Sequence, residues 1–238
     1  MEKAIIISAS RGLGPELAQV SLEYNIRSET HFVSYPNVGE VSSLKTCNPD
    51  YFTDISLPLL PSVFDRDFNY LVWYTGVFLK KSFAETTESE LDVLFDLHYK
   101  VPVKIIHQLH KQRKNSYHLI VIASCSSWRM RLHEAVYCSL CAAKSTFART
   151  FANELSRDLI GSKVLLVNPG GLRTPFYYEN NIEMDGYLDP ENLARFIWKS
   201  AKQQEKSFME IQYLRNKSSV SGDMNPIIEL GAKLPETI

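Results

Sequence analysis

The chain contains 238 residues, of which 45% are hydrophobic and 22% charged, and its formal net charge is −1. These values fit a globular protein with one large buried core and argue against nucleic acid or an acidic membrane surface as the main partner. No apolar run reaches membrane-spanning length, and the opening MEKAIIISAS is not typical of a signal peptide. We therefore expect a cytoplasmic protein with a single domain over residues 1–238 and four reduced cysteines.

Short apolar runs rich in β-branched residues alternate along the chain with stretches whose apolar residues recur at helical spacing. Strands are predicted, in chain order, at KAIIIS, THFVSY, DYFTDI, NYLVWYTG, YHLIVIAS, KVLLVNPGG and SFMEIQYL. Helices are predicted over GPELAQVSLEY, from about Glu88 to His110, from about Glu134 to Arg157 and over DPENLARFIWKSAK. Strands buried on both faces and separated by helices indicate a doubly wound α/β fold with a parallel, Rossmann-like sheet.

The first predicted strand runs into the glycine-rich turn SASRGLG, Ser8 to Gly14. A glycine-rich turn between a strand and a helix allows the backbone to approach a pyrophosphate and directs the positive end of the helix toward it. Two glycines in a turn are a weak signal alone, but ligands of such sheets bind beyond the carboxyl ends of the strands, where this turn lies. The turn is therefore a candidate phosphate-binding site.

Taken in order along the chain, the segments at the predicted strand ends resemble motifs of the short-chain dehydrogenase/reductase family. ISASRGLG aligns with the family's Thr-Gly-x-x-x-Gly-x-Gly motif, with Ser8 in place of the first glycine and Gly12 and Gly14 retained. FTDIS, LVWYTGVF and VNPGGLRTPF align with three further cofactor motifs. The resemblance implies NAD(P)-binding residues at Ser8, Ser10, Arg11, Gly12, Leu13, Gly14, Asp54, Thr75, Gly76, Pro169, Gly170, Leu172 and Thr174.

Three further positions align with the family's catalytic residues. VIASCSS contains Ser124, which lies 13 residues before Tyr137, the usual family spacing between serine and tyrosine. In LFDLHYKVPVKI the best alignment puts His98 in place of the family's asparagine. The resemblance implies an oxidoreductase that interconverts a carbonyl and an alcohol. Tyr137 would exchange the proton, Ser124 would hold the substrate oxygen, and hydride would pass to or from the nicotinamide.

The family's lysine, which binds the nicotinamide ribose and lowers the pKa of the tyrosine, is replaced in this chain by Cys141. A neutral thiol is a weak donor, and an ionised one would raise the tyrosine pKa. Lys144 comes seven residues after Tyr137, about 10 Å along a helix axis. We therefore expect the lysine to be lost, not displaced to Lys144. His98 could compensate as a cation or, when neutral, as a member of the proton relay; alternatively it is a core residue with one hydrogen bond.

Three hypotheses about function remain open. The first is an active reductase or dehydrogenase that uses Ser124 and Tyr137, with His98 assisting. The second is a non-catalytic, dinucleotide-binding sensor or partner subunit. The third takes CSLC, Cys138 to Cys141, together with Cys125 as a thiol or metal site. Cysteines also pack as small hydrophobic residues, and no second closely spaced ligand pair is present, so we expect no metal.

NADP is the expected cofactor, with NAD as the alternative. The end of the second predicted strand, HFVSYPN, lacks the acidic residue typical of an NAD site, and Arg11 stands where NADP-preferring family members carry a basic residue. In LVWYTGVF, Trp73 and Tyr74 replace smaller family residues, and they either fill the space released or narrow the cofactor groove.

The remaining expectations concern the substrate and the assembly. Residues 175–189 align with the family's substrate lid and indicate an aromatic-lined pocket for a small-molecule carbonyl or alcohol, formed by Phe176, Tyr177, Tyr178 and Tyr187. The two long predicted helices form the dimer face in the family, so the resemblance implies a homodimer or homotetramer.

Overall fold

The computed structural model describes residues 1–8, 12–32, 67–174, 182–216 and 226–233. The strands in these ranges are β1 (Glu2–Ser8), β2 (Ile26–Phe32), β3 (Tyr70–Tyr74), β4 (His118–Ile122), β5 (Lys163–Pro169), β6 (Phe208–Leu214) and β7 (Ile227–Leu230). The helices are α1 (Leu13–Ser21), α2 (Glu88–Phe95), α3 (Val101–Gln112), α4 (Ala135–Asp158) and α5 (Pro190–Gln203). The predicted strand DYFTDI and the last three residues of THFVSY lie outside the described residues, and the first three residues of THFVSY end β2. The other predicted strands and helices are present.

The seven strands form one sheet in the order β2-β1-β3-β4-β5-β6-β7. β1 to β6 pair in parallel, whereas β7 pairs antiparallel with β6. This arrangement confirms the predicted doubly wound sheet. The strand order reverses at β1, because β2 and β3 lie on its two sides. The carboxyl ends of β1 and β3 therefore border the crevice in which sheets of this type bind ligands.

Helices cover both faces of the sheet, which explains why the strands read as continuous apolar runs. On one face α1 and α5 pack together, and the buried Trp198 donates its indole N–H to the carbonyl oxygen of Leu17 at 2.8 Å. On the other face α3 and α4 contribute Ile106 and Leu155 to the core. Each fully buried large apolar side chain contributes about 1.5–3 kcal/mol. None of the helices in the described ranges is long and apolar enough to cross a bilayer.

The predicted helix from Glu88 to His110 is two α-helices joined by a π-helical turn at Asp96–Lys100. α2 begins with a capping box, in which Thr87 and Glu90 each accept a hydrogen bond from the other's backbone N–H. Pro102, in the first turn of α3, has no N–H for the carbonyl of His98 four residues earlier, which favours a wider turn at this point. The side chain of His98 is buried in this turn.

Candidate active site

A cleft enclosing about 550 Å³, solvent included, opens at the carboxyl ends of β3, β4 and β5. Its lining is Tyr74, Thr75, Gly76, His98, Ile122, Ala123, Ser124, Tyr137, Cys141, Lys144, Pro169, Gly170, Leu172 and Thr174. The cleft therefore lies in the place expected of a ligand site in this fold.

Many of the residues that the sequence singled out line this one cleft. They are the three catalytic candidates, Ser124, Tyr137 and His98, and six cofactor candidates, Thr75, Gly76, Pro169, Gly170, Leu172 and Thr174. The glycine-rich turn lies beside it: a Cβ on Gly12 would be 3.5 Å from the methyl group of Thr174. Ser8 ends β1, and Leu13 and Gly14 begin α1. Outside the described residues lie Ser10, Arg11 and Asp54.

The side chain of Ser124 is held by the turn that follows β4. Its Oγ accepts a hydrogen bond from the N–H of Ser126 at 3.1 Å, at the start of a short 3₁₀ helix, Cys125–Ser127. A hydroxyl that accepts one hydrogen bond still has its own proton to donate. Ser124 can therefore donate to an oxygen atom of a molecule in the cleft.

Tyr137 lies in the first turn of α4 and is only 8% exposed. Its ring makes perpendicular contacts with the rings of Phe78 and His98, at centroid distances of 5.1 and 5.5 Å. Ile182 packs against the same cluster. These contacts fix the orientation of the tyrosine ring beside the cleft that Ser124 also lines.

Lys144 also lines the cleft, so the expectation that this lysine lies too far along the helix for a place in the site is wrong. The residue is 4% exposed, and its Nζ donates a hydrogen bond to the carbonyl oxygen of Thr75. The rise along the helix axis from the Cα of Tyr137 to the Cα of Lys144 does not show how far the lysine side chain reaches. Side chains on an α-helix lean toward its N-terminus, and a lysine is long enough to cover much of one extra turn.

The ammonium group of Lys144 is in desolvated surroundings. Burial lowers the pKa of Lys144 to about 8, an effect that the neighbouring Cys141 partly opposes. The Thr75 carbonyl oxygen and the face of the Trp73 ring, whose centroid is 5.3 Å from Nζ, compensate part of the lost hydration. Below about pH 8 the cleft therefore contains a buried cation, as well as the hydroxyls of Ser124 and Tyr137.

His98 is a neutral imidazole at physiological pH. Burial lowers the pKa of His98 to about 3, and the charge of Lys144 acts in the same direction. Its Nε2 lies 3.0 Å from the backbone nitrogen of Val77 and 2.5 Å from its carbonyl oxygen, and the tautomer decides which bond forms. The ring covers Gly76, where a Cβ would be 2.5 Å from it and where φ is 153°. Of the roles considered for His98, the cationic one is disfavoured.

The protonation state of His98 is directly measurable by NMR. The resonance of its ring carbon Cε1 can be assigned because it is absent from the spectrum of a His98→Asn variant. From pH 8 to pH 5 this resonance is expected to keep the chemical shift of a neutral imidazole. Because burial lowers the folded-state pKa to about 3, the unfolded chain binds the proton first, below about pH 6.5. His98 should therefore make the protein less stable as the pH falls from about 6.5 toward 3. A midpoint between pH 6 and 7 for this resonance would contradict the assignment.

The cysteines near the site are poorly suited to thiol or metal chemistry. Burial raises the pKa of Cys138 to about 11 and that of Cys141 to about 12, so both thiols are neutral. The Cys141 thiol hydrogen-bonds to Tyr137 and packs in one apolar cluster with Tyr137 and Phe78. In the described ranges, no group of three His, Cys, Asp or Glu side chains could hold a metal ion. These observations favour Leu140 and Cys141 as packed residues of α4, with Cys138 half-buried beside them.

Part of the predicted lid, residues 182–189, packs against the turn that follows β5. The ring of Tyr187 covers Gly171, where a Cβ would be 2.5 Å from it, and the Arg215 guanidinium lies 4.2 Å from the ring centroid. Leu188 is fully buried and bridges to Leu172. Tyr187 therefore packs beside the cleft without lining it. Outside the described residues lie Phe176, Tyr177 and Tyr178.

No protein-family model and no curated protein sequence matches the chain significantly, whereas many solved structures do. A short-chain dehydrogenase from Mycobacterium paratuberculosis bound to NAD shares 17% identity, with a TM-score of 0.65 over 89% of this chain and 95% of that one. A 3-ketoacyl-(acyl-carrier-protein) reductase from Brucella melitensis complexed with NADH shares 16%, with a TM-score of 0.65 over 90% and 96%. An alcohol dehydrogenase from the archaeon Thermococcus sibiricus complexed with 5-hydroxy-NADP shares 18%, with a TM-score of 0.64 over 89% and 95%.

These similarities extend over nearly the whole of each compared chain, at sequence identities that establish the fold. The seven-stranded, mostly parallel sheet with helices on both faces agrees with them. The chain has the fold of the short-chain dehydrogenases/reductases.

Proposed function

We propose that the chain is an NADP(H)-dependent oxidoreductase that interconverts a carbonyl and an alcohol on a small molecule. The observation that carries the proposal is that Ser124, Tyr137 and Lys144 line one cleft at the carboxyl ends of the central strands. The three side chains supply a hydroxyl donor, a phenolic acid/base and a cation, which together suit the reduction of a carbonyl. The fold shared with dehydrogenases bound to NAD or an NADP-type nucleotide supports the proposal.

Each residue has a separate role in this proposal. In the direction of reduction, the Ser124 hydroxyl donates a hydrogen bond to the substrate oxygen, and the Tyr137 hydroxyl transfers its proton to that oxygen. The Lys144 cation favours the phenolate that remains. His98, a neutral imidazole, keeps the Tyr137 ring in position through their perpendicular contact. When bound, the nicotinamide supplies the hydride, and in the reverse direction the phenolate accepts the proton of the alcohol.

The residues present fit the nicotinamide half of the cofactor. Thr75 and Gly76 would hold it from one side of the cleft, and the segment from Pro169 to Thr174 from the other. The start of α1 would hold the pyrophosphate, because the N-cap Gly12 makes no side-chain cap and the first N–H groups of a helix need an outside acceptor. The preference for NADP rests on Arg11 and on the lack of an acidic residue in HFVSYPN.

Titration with NADPH and NADH, followed by nucleotide fluorescence, tests the proposal. We expect both to bind, with NADPH the tighter because a basic residue in the glycine-rich turn favours the extra phosphate. Displacement of NADPH by excess NADP⁺ is the control for a specific site. Failure of both nucleotides to bind would exclude the proposed function.

A non-catalytic nucleotide sensor or partner subunit is the second candidate, favoured by Cys141 in the position of the family's lysine. The two candidates differ only in turnover. Oxidation of NADPH in the presence of a panel of aldehydes and ketones, followed by absorbance, would therefore favour the enzyme, and its absence would favour the sensor or partner subunit. For either candidate, a cytoplasmic location and a homodimer or homotetramer remain predictions. The exposed Phe95 at the end of α2 supports the dimer face, whereas Phe147 on α4 packs against Trp73 and Phe151.

A further inference from the structure

Tyr74 ends β3, paired with the last residue of β1, and its side chain reaches the start of α1. The Tyr74 hydroxyl accepts a hydrogen bond from the N–H of Leu13 at 3.3 Å. The same hydroxyl lies 3.0 Å from the position that a Cβ on Gly12 would occupy. Tyr74 is therefore in direct contact with the backbone of the first turn of α1.

The start of α1 is a place suited to an anion. The first N–H groups of a helix have no acceptor within it and lie at the positive end of its dipole. Gly12, the N-cap, has φ 79° and makes no side-chain cap, so the acceptor comes from Tyr74 on a neighbouring strand. Burial raises the pKa of the Tyr74 hydroxyl, which keeps this acceptor neutral. A neutral phenol is a weaker partner for these N–H groups than a phosphate oxygen.

We propose that Tyr74 occupies the position at which α1 would receive the cofactor's pyrophosphate, and that the nucleotide binds only when the Tyr74 hydroxyl leaves Leu13. The inference rests on the proposed function and adds to it a residue that sets nucleotide affinity. The hydroxyl is so close to Gly12 that no phosphate oxygen fits between them. Tyr74 also lines the cleft, so its side chain borders the space in which the cofactor would lie.

The strengths of the competing hydrogen bonds allow this exchange. The 3.3 Å bond from Leu13 is longer than the usual range for N–H···O bonds. Bonds to a charged phosphate oxygen are about twice as strong as neutral ones, so the nucleotide displaces the phenol. The nucleotide nevertheless binds more weakly than it would without Tyr74, because the hydrogen bond from Leu13 to the Tyr74 hydroxyl and the contacts of the Tyr74 ring are lost on binding. Removing the hydroxyl alone should tighten binding by a factor of about 2–10.

Three variants separate the hydroxyl from the ring and from general effects on the strand. Tyr74→Phe removes only the hydroxyl, and Tyr74→Ala removes the ring as well. Tyr70→Phe is the matched control, on the same strand and the same side of the sheet, where the hydroxyl contacts Glu2 at 3.4 Å. By fluorescence titration, the NADPH dissociation constant should fall about 2–10-fold in Tyr74→Phe and further in Tyr74→Ala. It should not change in Tyr70→Phe. If Tyr74→Ala does not fold, Tyr74→Phe decides.

The outcomes distinguish this inference from the proposed function. If wild type binds NADPH and Tyr74→Phe binds it equally or more weakly, the inference is overturned and the proposed function stands. If NADPH binds neither the wild type nor the Tyr74 variants, both are overturned. Binding that is detectable only in the Tyr74 variants supports the inference but excludes the proposed function for the wild-type protein. As a second readout, inorganic pyrophosphate should raise the melting temperature of Tyr74→Phe more than that of wild type, and equal shifts count against the inference.

Discussion

Replacing Tyr137 with phenylalanine is expected to lower kcat for carbonyl reduction by a factor of about 10²–10⁴, the usual contribution of a general acid or base. The change removes one oxygen atom and keeps the ring that contacts Phe78 and His98, so the cleft keeps its shape. The NADPH dissociation constant should therefore be nearly unchanged. Initial rates with a panel of aldehydes and ketones, together with fluorescence titration of the same preparations, measure the two quantities.

The matched control for this variant is Thr146→Ala, on the exposed side of the same helix, which should keep the kcat of wild type. A Tyr137→Phe protein that retains most of its turnover would show that another group supplies the proton. A parallel loss of kcat and of NADPH binding would instead indicate that the tyrosine hydroxyl has a structural role.

Replacing Lys144 with methionine should remove a large pH dependence from the stability of the protein. Burial lowers the folded-state pKa of Lys144 to about 8, whereas a lysine exposed to water in the unfolded chain has its ordinary pKa of 10.5. Between these pH values the unfolded chain keeps the proton and the folded chain has released it, so the wild type gains stability as the pH rises. Relative to Lys144→Met, this gain should reach about 3 kcal/mol. Urea unfolding of both proteins at several values between pH 7 and pH 10.5 measures it.

The control for the lysine variant is Lys104→Met on the exposed side of α3, which should change the free energy of unfolding by less than about 0.5 kcal/mol. Parallel pH profiles for wild type and Lys144→Met would mean that the ammonium group is hydrated and not enclosed in the cleft. Lys144→Met should also reduce kcat, because the phenolate of Tyr137 loses its cation. If Lys144→Met loses turnover but is more stable than wild type at pH 7, then Lys144 serves the reaction at a cost to the stability of the fold.

The fold was predictable wherever the local pattern is strong. YHLIVIAS is a continuous run rich in β-branched residues, and it forms β4. The long stretch after Glu134, in which apolar residues recur at helical spacing, forms α4. β7 was not predicted, because its four residues, Ile227–Leu230, are too few to show a period. It is a strand through its pairing with β6, a partner that local sequence does not reveal.

The site was predictable to the extent that strand ends determine it. Ser124 and Thr174 follow buried strands, and a parallel sheet brings such ends to one edge. Lys144 was misjudged because its place depends on the direction of its side chain. The available signal was its spacing of seven from Tyr137, which is two turns and therefore the same side of the helix. Tyr74 was identified as a large replacement, but its contact with α1 depends on a side-chain rotamer that sequence does not specify.

Buried positions recur every four residues through α2, the π-helical turn and α3. They form two rows, Val93, Leu97, Val101, Ile105 and Leu109, and beside them Leu94, His98, Pro102 and Ile106. In an unbroken α-helix a four-residue repeat drifts by about 40° around the axis at each step, and both rows would wind away from the sheet. The wider turn reverses part of that drift. Because a π-helical turn contains one residue more than an α-helical turn, deleting one residue from Asp96–Lys100 would restore a regular helix and leave the apolar side of α3 facing the core.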